Sequence, residues 1–199
     1  MGRVSQAQAQ ENRRRVVETS SRLFREQGTH VSVADLMKAA GLTHGAFYKQ
    51  FASKEALVAE ATAHALDEQT RRHVAGLEQH GGRLDAAQRD LIERYLSAEH
   101  RDNAADGCPV VALAADVARE PDDREVRRVY AEGVADFAAF LAPAGAADGG
   151  EGSGEKVSEG GIARLCTLVG ALVLSRATQG SPLSEEILAA AHAALTEAG

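Results

Sequence analysis

The sequence predicts an all-helical chain: an amino-terminal head of three short helices over residues 1–52, then a larger helical body over 53–199, about nine helices in total. Three observations carry that expectation. Apolar residues recur at three- and four-residue spacing in one segment after another, no segment alternates apolar and polar as a half-buried strand would, and glycines, prolines and hydroxyl residues punctuate the pattern where helices start and stop. With 199 residues, 44% of them hydrophobic, the chain is long enough to bury a sizeable core as one domain or two small ones.

The first helix is expected over Glu11–Gln27, with Val16, Val17, Ser20, Leu23 and Phe24 on one face and Gly28 as its stop; the polar residues 1–10 read as a frayed arm. Arg13, Arg14 and Arg15 near its start read either as phosphate anchors or as a solvated face. Ser32 followed by Asp35 is a start signal, because the serine oxygen accepts from an otherwise unpaired amide while the carboxylate faces the positive end of the helix. Val33, Leu36 and Met37 continue the stripe, and Gly41 stands where the chain must reverse through a left-handed conformation. Thr43 is placed to cap a second helix, which turns Phe47 inward beside Phe51 and leaves Thr43, His44, Ala46, Tyr48 and Lys49 outside. Two short helices joined by a tight turn form a helix-turn-helix, so those exposed residues, together with Ser32 at its entrance, are the candidate DNA contacts.

Ser53 opens the next helix, which continues through Leu57, Ala61, His64 and Ala65 toward Arg72. Lys54 sits at its amino end, where free backbone amides already favour a phosphate. Further on, 78–82 reads as a loop, Leu84–Leu96 as a helix ending near His100, 101–107 as a polar connection, and Pro109 and Pro121 as helix starts. The stripe Val126, Val129, Tyr130, Val134, Phe137 and Leu141 is the longest in the body. Residues 143–161 hold seven of the 19 glycines and read as a flexible loop. No phosphate cradle is expected there, because glycine does not directly precede the lysine. The helix from Ile162 to Leu174 is apolar nearly all round and calls for a subunit interface, and a last helix is expected over 184–198.

Charge is unevenly spread. The net charge is −7, yet up to Lys54 nine basic residues face four acidic ones, an excess of five that leaves −12 for the remainder. A basic head on an acidic body presents one end to phosphates. No apolar run is expected to approach the roughly 18 residues of a membrane span. The polar start GRVSQAQAQENRRR lacks the apolar core of a secretory signal, so a cytoplasmic location with no membrane partner is expected. Two cysteines imply no disulfide framework, the seven histidines show no metal-ligand spacing, and no cofactor is called for.

The run AAGLTHGAFYKQFASKEAL resembles the DNA-binding signature of the TetR family of bacterial transcription regulators, over roughly Val16–Glu60. The resemblance implies phosphate contacts from Tyr48 and Lys54 and base or groove contacts from Thr43, His44, Ala46 and Lys49. It also implies a homodimer paired through the helices flanking the glycine-rich segment, reading a palindromic double-stranded operator, and a small-molecule or electrophile inducer. Between Gly28 and Ser32 the chain is one residue shorter than the usual family loop, and Thr29 stands where the family commonly has an aromatic.

Cys108 precedes Pro109 at a helix start, where amides stabilise a thiolate and raise its reactivity. The Gly-Cys-Pro order resembles thiol-based sensors within the same family. The other reading is a small buried hydrophobe filling the core, the reading favoured for Cys166. Tyr95, His100, Tyr130 and Phe137 complete the candidate sensing set. Two alternatives stay open at this level, a helical dimeric interaction protein without DNA binding and a helical thiol enzyme.

Overall fold

A computed structural model describes residues 6–143 and 157–197. Among these the chain is entirely helical: nine α-helices and one 3-10 segment, with no strand. They are α1 (Gln6–Gln27), α2 (Val33–Ala39), the 3-10 segment (His44–Lys49), α3 (Lys54–Gln79), α4 (Leu84–Tyr95), α5 (Ala98–Asp102), α6 (Pro109–Arg119), α7 (Glu125–Phe140), α8 (Glu159–Ala177) and α9 (Pro182–Thr196).

Several boundaries correct the sequence reading. Helix α1 starts at Gln6, five residues before Glu11, and α3 continues to Gln79, past Arg72. The chain leaves α4 at Tyr95 and starts the separate α5 behind Ser97, whose hydroxyl accepts from the His100 amide. Pro121 opens a turn closed by Arg124 N–H, and α7 begins only at Glu125. Of the glycine-rich stretch, residues 144–156 lie outside the described residues. Gly160 and Gly161 belong to the first turn of α8, where Ser158 caps the Gly161 amide. Gly161 is there because α8 runs against the end of α7: a β-carbon at 161 would stand 2.2 Å from the Ala138 carbonyl oxygen, so only glycine allows that approach.

By contacts the chain divides into two compact units, one of residues 1–67 and 108–131, the other of 68–107 and 132–199. Compactness therefore follows a different line from the 1–52 and 53–199 partition, because α6 shares the core of the head. In the first unit Val16, Phe24, Leu36, Met37, Phe47 and Leu57 are almost fully buried in one cluster, and Leu113, Val117 and Val126 from the distant segment close it.

In the second unit α8 and α9 pack along each other. Gln88, buried on α4, donates to the Phe140 and Ala142 carbonyls and accepts from Arg164, closing the carboxyl end of α7. Arg101 bonds Ser184 and Glu185, and Arg176 donates to the carbonyls of His100 and Arg101. Helix α8 has the length and mean hydropathy (19 residues, 1.4) of a membrane span, which corrects the expectation that no run approaches one. Its Arg164 and Arg176 are nevertheless bonded inside the unit. Ile162, Val173, Leu174 and Cys166 stay exposed on it, so Cys166 is not the packing residue the apolar pattern suggested.

His73 lies between the rings of Phe137 and Phe140, with centroids at 4.7 and 4.6 Å. Burial, then the charges of Arg94 and Arg72, push its pKa down from 6.5 to about 4. Above pH 6.5 the imidazole is neutral folded or unfolded. Between 6.5 and 4 only the unfolded chain takes the proton, so stability falls as pH drops through that window, by up to about 3 kcal/mol. Denaturant unfolding at a series of pH values should show this loss, and His73→Leu should flatten the profile between pH 6.5 and 4.

Candidate nucleic-acid interface

The helix-turn-helix is assembled by local caps. Ser32 accepts from the Asp35 amide at 3.2 Å, which satisfies one of the free amides at the start of α2, and donates to the Asp35 carboxylate at 2.6 Å, which holds the cap in place. After Ala39 the chain reverses through Gly41 at φ +69°, with Gly41 N–H bonded to Lys38 O and Leu42 N–H to Met37 O. This is the left-handed reversal expected of that glycine.

Beyond the turn, the chain departs from the expected second α-helix. Residues His44–Lys49 form a 3-10 segment, and the Thr43 side chain makes no capping bond although its backbone is extended in the manner of a cap. Phe47 and Phe51 hold the segment down: both are buried, their rings stacked at 5.4 Å. Arg13 holds its far end by donating to the Gln50 carbonyl at 2.9 Å, with its guanidinium 4.3 Å over the Phe51 ring and a 2.6 Å bond to Glu60. Arg14 is paired with Glu11 and Glu18. Of the three arginines considered as phosphate anchors, Arg13 is therefore an internal brace that periodicity did not reveal.

With its underside fixed, the segment displays the rest. Thr43, His44, Tyr48 and Lys49 are exposed and Ala46 half-buried. Tyr48 is the most exposed large hydrophobic side chain of the described residues at 67%, its ring edge-on to Phe47 and His44. Ser32 is also exposed. Ser53 caps α3 by accepting from the Ala56 amide at 3.1 Å, which puts Lys54 on the first turn as expected. Glu55 shares that turn, and hydrogen bonds from its own amide and from Ser53 hold its carboxyl below the usual range. An open groove of about 640 Å³ runs beside this turn, lined among others by Lys54, Val58, Ala59, Arg124, Val126 and Val129. None of the five candidate sensing residues lines it.

Those five do not form one cluster within either unit. Cys108 and Tyr130 belong to the first. Cys108 is the residue before α6 with Pro109 at the first helical position, as expected, but it is buried, and Tyr130 donates to the Val110 carbonyl at 2.6 Å. Burial, then the Cys108 charge, raise the Tyr130 hydroxyl above its ordinary pKa. Arg119 sits at the other end of α6, bonded to Ala115 O and Asp116, and Arg101 is bonded to Ser184, Glu185 and Asp102. Tyr95, His100 and Phe137 belong to the second unit. The His100 ring lies 4.6 Å from Tyr95 and bonds its carbonyl, and Phe137 lies 6.2 Å from Tyr95. Both cysteines are free, and among the described residues no group of histidine, cysteine and carboxylate side chains could hold a metal.

A capped helix-turn-helix on an aromatic floor, in an all-helical chain, is an architecture similar to that of bacterial helix-turn-helix regulators. Residues 16–61 match the family described as bacterial regulatory proteins, tetR family. The chain is 39% identical over 61 residues to the HTH-type transcriptional regulator AcrR of Shigella flexneri. That segment covers 30% of this chain and spans only 28% of the relative's length. Solved structures share the fold over nearly the whole chain. Reduced NemR of E. coli superposes with a TM-score of 0.75 at 21% identity, covering 94% of this chain and 96% of that one. A TetR-family regulator from Cytophaga hutchinsonii gives 0.66 at 17%, covering 98% of both. AibR, in complex with isovaleryl coenzyme A and operator DNA, gives 0.58 at 13%, covering 92% and 97%. Over residues 16–61 the chain is thus similar to the tetR family of bacterial regulatory proteins, and over nearly its whole length it shares the fold of these solved structures. The match over residues 16–61 points to a regulator rather than an enzyme.

Proposed function

We propose that the chain is a sequence-specific DNA-binding repressor that acts as a homodimer on a palindromic operator and is released by a small ligand or by modification of Cys108. The observation that carries this is the recognition segment itself, in which Phe47 and Phe51 are buried while Thr43, His44, Tyr48 and Lys49 face outward beside Lys54 at the start of α3. Tyr48 and Lys54 hold phosphates, and Thr43, His44, Ala46 and Lys49 enter the groove, with Ser32 at its edge. Two such heads about 34 Å apart read successive major grooves. The exposed apolar residues of α8, Ile162, Val173 and Leu174, support the pairing of two copies. Operator binding places the protein with the chromosome, in the cytoplasm.

Binding to a duplex from the promoter of its own or a neighbouring gene tests this reading. If Lys49 and Lys54 of both heads displace counterions, log affinity falls with log salt at a slope of about −3 to −4. A chain that binds no duplex at low salt, or stays monomeric, removes the proposal and leaves the interaction-protein alternative.

The thiol arm rests on the place of Cys108 directly before Pro109 at the amino end of α6, where helix-end amides favour a thiolate; its burial and the lack of a side-chain capping bond work against that, so the thiol reacts only if α6 opens. An electrophile such as N-ethylmaleimide should release the parent chain from DNA while Cys108→Ser stays bound. Equal release of the two assigns the response elsewhere.

A further inference from the structure

We infer that Asp116 is a positioning residue, which ties the loop between α1 and α2 to helix α6 and so sets the orientation of the helix-turn-helix. The inference rests on the DNA-binding reading and adds to it a residue outside the signature. Helix α1 ends when Gly28, at φ +84°, returns its N–H to the Phe24 carbonyl at 3.0 Å. That closure satisfies the carbonyl but leaves the next amide, of Thr29, without an intrahelical acceptor. Asp116 takes it. One carboxylate oxygen accepts from Thr29 N–H at 2.6 Å and from the Thr29 hydroxyl at 3.1 Å, across 87 positions of sequence, and the other accepts from Arg119 at 3.3 Å.

Two further features fit the same carboxylate. A β-carbon at position 28 would lie 3.0 Å from it, so the glycine that permits the reversal also leaves it room. Thr29 also brings its hydroxyl to the tie, beside its amide. From Thr29 only His30 and the buried Val31 intervene before Ser32, the cap of α2. Fixing Thr29 therefore fixes where α2 starts, and through the Gly41 turn where the recognition segment points. Because the carboxylate belongs to α6, the helix that Cys108 opens, a displacement of α6 reaches the head through this bond.

The test uses the full-length dimer and a duplex that the parent chain has itself selected from a random-sequence pool. Asp116→Ala, Asp116→Asn, Thr29→Val and the double Asp116→Ala/Thr29→Val are compared at a temperature where each is folded. Amide exchange at Thr29, read by NMR without DNA, should quicken at least about tenfold in Asp116→Ala, as expected for loss of a charge-assisted bond. The ratio of specific to non-specific duplex affinity should fall on the order of tenfold, with the salt slope unchanged. Asp116→Asn, which keeps a carbonyl oxygen, should recover part of both. The double variant should be no worse than Asp116→Ala, because both remove members of one tie.

Unchanged exchange at Thr29 in Asp116→Ala overturns the inference, as does faster exchange with an unaltered affinity ratio, which reduces the bond to a contact of stability alone. Should Asp116→Ala not fold, Asp116→Asn and Thr29→Val carry the same comparison. A parent chain that selects no duplex sinks the DNA-binding reading instead, and the exchange at Thr29 then decides the tie by itself.

Discussion

Replacing Tyr48 and Lys49 together by alanine should lower operator affinity about 1,000-fold or more, with almost no change in thermal midpoint or in dimerisation. The size comes from losing a phosphate contact and a groove contact in each of two heads, at about 1–3 kcal/mol per contact. The silence in stability comes from exposure, since Tyr48 is 67% exposed and its ring touches Phe47 and His44 only edge-on. Fluorescence anisotropy on a labelled operator duplex, beside a melting curve and sedimentation, separates the two effects. A double variant that binds as the parent does would show that the recognition face lies elsewhere. Lys49→Ala alone should also make the salt slope shallower by about 2 for the dimer, one charge per head.

Phe47→Ala, one position away, should do the opposite. Phe47 is 1% exposed, stacks on Phe51 and sits in the cluster with Leu36, Met37 and Leu57. Truncating such a ring costs roughly 3–5 kcal/mol in transfer free energy and residual cavity. That is a large share of the roughly 5–15 kcal/mol that holds a typical domain together. The recognition segment has few other anchors, because a 3-10 segment of six residues has little stability of its own and Thr43 makes no capping bond. The expected result is a denaturant midpoint well below the parent's and loss of operator binding before global unfolding, visible as a binding transition that precedes the loss of helical circular dichroism. If Phe47→Ala unfolds at the parent's midpoint, the aromatic floor is not what holds the segment.

The contrast between neighbouring residues shows which parts of the site were legible. Spacing alone separated Phe47 and Phe51 from Tyr48 and Lys49, because inward and outward positions on a short helical segment are set by a rise and a rotation common to every sequence. Ser32, Gly41 and Ser53 were legible for a related reason: a cap bonds an amide two or three residues away, so all its atoms lie in one short window. Arg13 was not, since its bond to Gln50 O spans 37 positions, its contact with Phe51 one more, and neither leaves a periodic trace. The 3-10 form of the recognition segment was also out of reach, because propensities scarcely distinguish 3-10 from α over six residues.

The candidate sensing set shows the same limit in the body. Tyr95, His100 and Phe137 do approach one another, whereas Cys108 and Tyr130 belong to the other compact unit, and helical stripes cannot report which unit a stripe joins. Glycine had a double meaning as well. Seven glycines in 143–161 suggested one loop, yet Gly161 is needed by the Ala138 carbonyl that α8 passes. Likewise α8, apolar enough to span a membrane by composition, carries two arginines whose partners are 75 and 76 positions away.

The sequence by itself determined the helical class, the capped turn at Gly41, the outward residues from Thr43 to Lys49, and Lys54 at the amino end of α3. Each rests on bonds and periodicities confined to a few neighbouring residues. Only the tertiary structure decided that α6 shares the head's core, that Arg13 and Asp116 brace the two ends of the helix-turn-helix, that Cys108 is buried and Cys166 exposed, and that His73 is held neutral between two rings. Those outcomes depend on partners tens of residues away, whose approach is chosen by how the whole chain buries its apolar surface.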